Sequence, residues 1–152
     1  GLSALKVFPT TESFPDVSEA PYVEYKVMLE YDAAYKMETY FAPSNPVDAD
    51  HISMKFGVSI DGGEVQVIDT IKSSYNAGAW SDSIWSNGVR NNVHTASVEL
   101  GELEWGTHTI RIYAQDPALV LQKMVLYSSR RLPTSCLGAP ESYFVGEKSV
   151  GK

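Results

Sequence analysis

Residues 106–142 read GTHTIRIYAQDPALVLQKMVLYSSRRLPTSCLGAPES, and this stretch decides the fold class. His108, Ile110 and Ile112 alternate with Thr109, Arg111 and Tyr113. That period of two turns one set toward a core and the other outward. Asp116-Pro117 then breaks the strand, because Pro117 offers no N–H to a ladder and biases Asp116 away from helix. A second apolar run, 119–127, is rich in residues that suit a half-buried pleated surface. Two strands joined by an Asp-Pro corner are the ordinary grammar of a β-sandwich.

The same pattern continues upstream. Leu5 to Phe8 reads as a first edge strand, and Pro9, Pro15 and Pro21 punctuate the loop after it. From Val23 to Tyr31 the odd residues Val23, Tyr25, Val27, Leu29 and Tyr31 face one way. Tyr35 to Phe41 is expected to pair with that strand as a hairpin through Asp32-Ala33-Ala34. Ile52, Met54, Phe56, Val58 and Ile60 alternate again, and Asp61-Gly62-Gly63 reads as a tight turn into a strand over 64–69. Val93 to Leu100 and Gly106 to Tyr113 are expected to form a hairpin across 101–105. Trp80 and Ile84, four apart, fit a short amphipathic helix near Trp80–Asn87. The expectation is an all-β chain of eight or nine strands, an antiparallel jelly-roll sandwich with one short helix. Residues 1–20 read as an edge strand and loop, 21–145 as the sandwich, and 146–152 as a flexible tail.

At 152 residues and 43% hydrophobic content, the chain is long enough for a core of its own. Its net charge of −7 argues against nucleic acid, which needs a basic face. Cys136 is the sole cysteine, so no internal disulfide forms. No run approaches the ~18 apolar residues of a membrane helix, and no signal peptide opens the chain. Gly1 stands where an initiator methionine would be, which reads as an excised or processed piece.

Reactive constellations are scarce. Asp48, Asp50, Asp61, Asp69, Asp82 and Asp116 sit in or beside turns, where Asp is favoured for capping and Asx bonds. His51, His94 and His108 share no metal spacing with other His, Cys or acidic residues. His108 lies on the inward register and reads as a hydrogen-bonded core histidine. The expectation is therefore no catalytic residue, no metal and no cofactor. A structural calcium, common in sugar-binding sandwiches, has no EF-hand-like oxygen-ligand loop behind it here.

Between Thr70 and Asn92 the texture changes. Tyr75, Asn76, Trp80, Trp85, Asn87, Arg90 and Asn91 combine flat aromatic rings with hydrogen-bonding side chains. That is the mixture a pyranose needs, since its C–H faces stack on rings while its hydroxyls need polar partners. Trp105 is a further candidate in a turn. The structural alternative puts Trp80 over the open end of the sandwich, packed with Ile84; Trp85 stands off that stripe. Aromatics with Arg also serve protein interfaces.

The words of the opening stretch resemble the C-terminal module of glycoside hydrolase family 115, the xylan α-1,2-glucuronidases. Gly106, His108, Thr109, Asp116, Pro117, Val120, Leu121, Gln122, Lys123, Leu137, Gly138, Pro140, Glu141 and Ser142 match its strand and closing phrases. Cys136 and Ala139 depart from them. Trp80, Asn87 and Arg90 fit the family's W-x-x-x-V-x-x-N-x-x-R segment, with Ile84 in place of its Val. The resemblance reaches back to about Pro21, and the family's catalytic domain is absent from these residues. It implies a secreted or periplasmic, non-catalytic module serving glucuronoxylan degradation. Its partners would be a xylan-type polysaccharide and the parent catalytic domain or a homodimer mate. A purely structural or dimerisation module without glycan affinity is the alternative. A small sandwich enzyme, such as a lyase or esterase, has no residue constellation behind it.

Overall fold

The computed structural model describes residues 4–47, 52–71, 74–130 and Ser142. Cys136, the closing phrase at 137–141, the tail 146–152, and Asp48, Asp50 and His51 lie outside them. Among the described residues, eight strands build two four-stranded antiparallel sheets: β1 (Leu5–Lys6), β2 (Tyr22–Leu29), β3 (Ala33–Phe41), β4 (Lys55–Ile60), β5 (Gln66–Asp69), β6 (His94–Leu103), β7 (Gly106–Ala114) and β8 (Val120–Ser128). The first sheet runs β1-β8-β3-β6 and the second β2-β7-β4-β5. A single 3-10 turn, Val17–Glu19, and one helix, α1 (Ser83–Asn91), complete the described elements. Among the described residues no helix is long and apolar enough to cross a membrane.

Both expected hairpins are corrected. β2 pairs with β7 from Tyr22↔Tyr113 to Leu29↔Gly106, whereas β3 lies between β6 and β8 in the other sheet. Likewise β6 and β7 belong to opposite sheets, so Glu104-Trp105 carries the chain across the sandwich rather than turning a hairpin. The two crossing links run side by side, because Asp32 Oδ1 accepts the Trp105 N–H at 2.6 Å. That bond ties the corners together at one end. The Asp116-Pro117 corner is a third crossing. Buried Asp116 accepts from Ser53 Oγ at 2.6 Å and from the Lys55 N–H at 2.7 Å, anchoring the start of β4.

The inner faces meet as the alternation requires. Met37, Phe41, Met54, Phe56, Val58 and Ile110 are fully or almost fully buried, and Phe41 and Phe56 pack at 5.0 Å between ring centroids. Gly57 and Ser59 on the outer face of β4 are buried too. A Cβ on Gly57 would lie 2.6 Å from Val17 Cγ2 and 2.7 Å from Val65 Cγ1. Only glycine lets those side chains close over the strand.

The turn after β4 has the hairpin geometry the sequence calls for. Asp61 and Gly62 both take positive φ (51° and 73°), and the Gly63 N–H returns to the Ile60 carbonyl at 2.8 Å. Asp61 also holds His108, whose Nδ1 lies 2.7 Å from Asp61 Oδ2 and whose Nε2 lies 2.9 Å from the Glu104 carbonyl. Only an imidazolium donates from both nitrogens. The bonds to Asp61 and Glu104 accordingly raise the His108 pKa above 6.5. Asp61 is lowered from 3.8, chiefly by the Thr109 N–H and further by His108.

The two shifts act on stability from opposite sides. The His108 contribution is complete below its unfolded value of 6.5 and is lost as pH rises through the raised folded one. The Asp61 contribution is present above 3.8 and is lost as pH falls through the lowered folded value. The pin is strongest between those limits. In an NMR titration the His108 ring should therefore titrate above its ordinary value, and Asp61→Asn should bring it back down. A midpoint indifferent to Asp61→Asn would contradict this pairing.

Candidate functional site

The site is assembled around α1. Asp82 starts the helix, its Oδ1 accepting the N–H groups of Ile84 (2.8 Å) and Trp85 (2.9 Å). Its other oxygen accepts from the Asn76 N–H at 3.0 Å, which draws the preceding loop onto the cap. These donors, that of Trp85 foremost, hold the Asp82 carboxyl below its ordinary range. Asn92 ends the helix in the left-handed conformation (φ 55°), its N–H returning to the Gly88 carbonyl.

The helix lies directly on His94, the buried first residue of β6. A Cβ at Gly88 would stand 2.5 Å from His94 Cε1, closer than any real contact. Helix propensity alone would make Gly88→Ala favourable by roughly 0.5–1 kcal/mol. Overpacking against a ring with little room to retreat outweighs that, and we expect a net loss of about 1–3 kcal/mol in urea denaturation. A more stable Gly88→Ala protein would show that helix and imidazole are not in contact.

Beside this contact lies a cavity of about 250 Å³. Ser44 and Asn45 enter it from the connection after β3, Tyr75 from the loop before α1, Trp85 and Val89 from the helix, and His94 from β6. The Tyr75 hydroxyl donates to Asn45 Oδ1 at 2.6 Å, locking two loops 30 residues apart. Burial, then the nearby Asp82 carboxylate, pushes the Tyr75 pKa up. Burial also pushes His94 below 6.5, against the smaller opposing effect of its bond to the Ser44 carbonyl. Its imidazole is neutral at physiological pH. The Tyr75 and His94 rings meet edge-on at 6.4 Å.

The candidates named from the sequence divide. Tyr75 and Trp85 line the cavity. Trp80 is corrected twice: it precedes the helix, which begins after Asp82, and it does not cover the core, being 64% exposed. Trp85 instead packs against the core, and Trp80 meets it edge-on at 5.1 Å. The cap fixes the helix phase, so the i, i+4 spacing from Trp80 has no helix to act through. Asn76 contributes its backbone N–H to Asp82. Asn87, Arg90 and Asn91 lie on the exposed side of α1. Trp105, 70% exposed, follows the far end of β6 from His94. A ten-residue strand puts it ~30 Å from the cavity.

Asn45, Ser44, Val89, Asn92 and His94 escaped the sequence reading. A Pro43-Ser44-Asn45-Pro46 loop carries no local signal of a partner 30 residues on. Spacing along the chain tests His94 only as a metal ligand. A second hollow of about 260 Å³ opens between β1 and β2, lined mostly by apolar side chains such as Phe8, Leu119 and Leu121. It lacks the converging polar groups of the first.

The carboxylates found in turns are engaged there. Asp61, Asp69, Asp82 and Asp116 each accept from backbone N–H groups. Among the described residues no three His, Cys, Asp or Glu side chains gather as a metal site would require.

Comparison with known proteins bears on this arrangement. The family model described as the glycosyl hydrolase family 115 C-terminal domain matches residues 1–141. Among curated proteins nothing matches. A solved family GH115 4-O-methyl-α-glucuronidase with specificity for decorated arabinogalactans superimposes with a TM-score of 0.61 at 20% identity. The match covers 72% of this chain and 13% of the enzyme. A family 35 carbohydrate-binding module from an environmental isolate gives 0.56 at 12% identity, covering 90% of this chain and 80% of the module. The GH26-CBM35 β-(1,4)-mannanase of Podospora anserina gives 0.50 at 15%, covering 88% and 23%. These likenesses establish the sandwich architecture.

Proposed function

Because the chain belongs to the family of glycosyl hydrolase family 115 C-terminal domains, we propose that it is a non-catalytic carbohydrate-recognition module for xylan-type polysaccharide, working beside a glucuronidase catalytic domain outside the cell or in the periplasm. One observation carries the reading: Trp85 and Tyr75 wall a cavity into which Asn45 and His94 bring hydrogen-bonding groups. A pyranose asks for that pairing of a flat apolar surface with a few placed polar atoms. Trp80, exposed and edge-on to Trp85, extends the aromatic surface toward a following sugar. Arg90, Asn87 and Asn91 would meet a longer chain along the outer side of α1. The fold likeness to a family 35 carbohydrate-binding module supports the same reading.

A glycan array followed by isothermal titration of the chain tests it. The expected result is saturable one-site binding to a xylan-type oligosaccharide, with no sugar released from aldouronic acids. Turnover abolished by one Asp→Ala or Glu→Ala change would refute the non-catalytic part.

The second reading, an accessory module that packs against its parent enzyme, is favoured by Trp105, Met28 and Tyr31. All three are exposed and near the crossing links, at the end away from the cavity. The two roles use different ends of the sandwich and are compatible.

A further inference from the structure

We propose that the cavity beneath α1 accepts a neutral pyranose residue and excludes a uronic acid, so that the module would grip the uncharged sugars of a polysaccharide rather than its acidic branches. This rests on the reading of the chain as a glycan-binding module and adds the class of sugar. Size comes first. At about 250 Å³ the cavity falls below the ~300–1,000 Å³ of typical small-molecule pockets, which suits one ring and not several.

The chemistry of the wall then selects among rings. Tyr75 spends its hydroxyl proton on Asn45 Oδ1, so the oxygen end of that amide is held by the protein and its NH₂ remains to donate to a ligand. The Ser44 backbone favours a proton on one ring nitrogen of His94. Gly88 and the Tyr75 edge pack against its ring, leaving it buried and neutral. The other nitrogen of a neutral imidazole is an acceptor. A sugar hydroxyl has a proton to give it. An ionised carboxylate has none, and would set lone pairs against lone pairs.

Charge points the same way. Among the described residues, an ionised group whose field reaches the cavity wall is Asp82, which raises the Tyr75 pKa and is itself kept ionised by three backbone N–H donors. A uronate would bring a second negative charge beside it. It would also shed water against the aromatic wall, where the described lining offers Ser, Asn, Tyr, Trp, Val and neutral His side chains. A carboxylate buried without a paired charge loses hydration that the wall does not replace. Arg90 is on the exposed side of α1 and does not line the cavity.

The test titrates the whole ¹⁵N-labelled chain at pH 7.5 with matched pairs, xylose or glucose against glucuronic acid and galactose against galacturonic acid, following the Trp85 indole signal. At least one neutral sugar should bind tenfold or more tighter than its acidic counterpart. Asp82→Asn keeps an oxygen to cap Ile84 and Trp85 while removing the charge and the acceptor of the Asn76 N–H; whatever it costs binding as a whole, the ratio of uronate to neutral-sugar affinity should rise severalfold. Uronates that bind as tightly as neutral sugars, or a ratio untouched by Asp82→Asn, would overturn the neutral-sugar assignment and leave glycan binding standing. Silence from every sugar, with a silent glycan array, would overturn both.

Discussion

Phe56→Ala should lower the unfolding free energy by about 3–5 kcal/mol, the range for truncating a buried aromatic. Phe56 is 0% exposed and sits on β4, with Phe41 of the opposite sheet 5.0 Å away between centroids. The ring therefore joins the two layers, and its loss leaves a hollow that both sheets are too well tied to fill. Urea denaturation followed by near-UV circular dichroism measures it. Met37→Ala, from β3 and equally buried, should cost about 2–5 kcal/mol by the same physics. Losses under ~0.5 kcal/mol for both, typical of surface positions, would mean that the inner faces are misassigned.

Trp85→Ala should weaken glycan binding by about 2 kcal/mol or more, roughly thirtyfold or beyond, as the loss of an aromatic anchor does. The residue also packs on the core, so truncation will destabilise the fold to some degree. A thermal melt run beside the titration separates the two effects, because a folded protein that fails to bind has lost the site alone. Tyr75→Phe is the gentler companion. It keeps the ring but frees Asn45 from its 2.6 Å bond, and should cost affinity severalfold with little change in melting temperature. Binding unaltered in both variants would place recognition elsewhere.

The strands were largely legible in the sequence because burial on one face leaves a period-two trace. β2, β4 and β7 carry that trace in Val23–Leu29, Met54–Ile60 and Ile110–Ile112. Their partners were not legible. A hairpin and a crossing between sheets bury the same side chains of β2 and β3, so alternation cannot tell them apart. What distinguishes them is the Asp32–Trp105 bond, made across 73 residues.

The site divides along the same line. Tyr75 and Trp85 stood out by composition. Asn45 and His94 become visible only once β3 and β6 lie side by side, with Phe41 opposite His94. The exchange of roles between Trp80 and Trp85 follows from the cap. Asp82 sets where the helix begins, and with it which tryptophan turns toward the core. Turn chemistry, by contrast, was local enough to read: Asp61 and Gly62 adopt the positive φ that their identities favour.

One end of the sandwich is the proposed sugar-recognition site, and the three tryptophans report on it separately. The decisive measurement is a ¹⁵N NMR titration of the chain with a xylan-type oligosaccharide, following the three indole N–H signals. The Trp85 signal should shift most, Trp80 should follow with longer oligosaccharides, and Trp105 should stay where it is. A shift confined to Trp105, or none at Trp85 at saturating sugar, would contradict it.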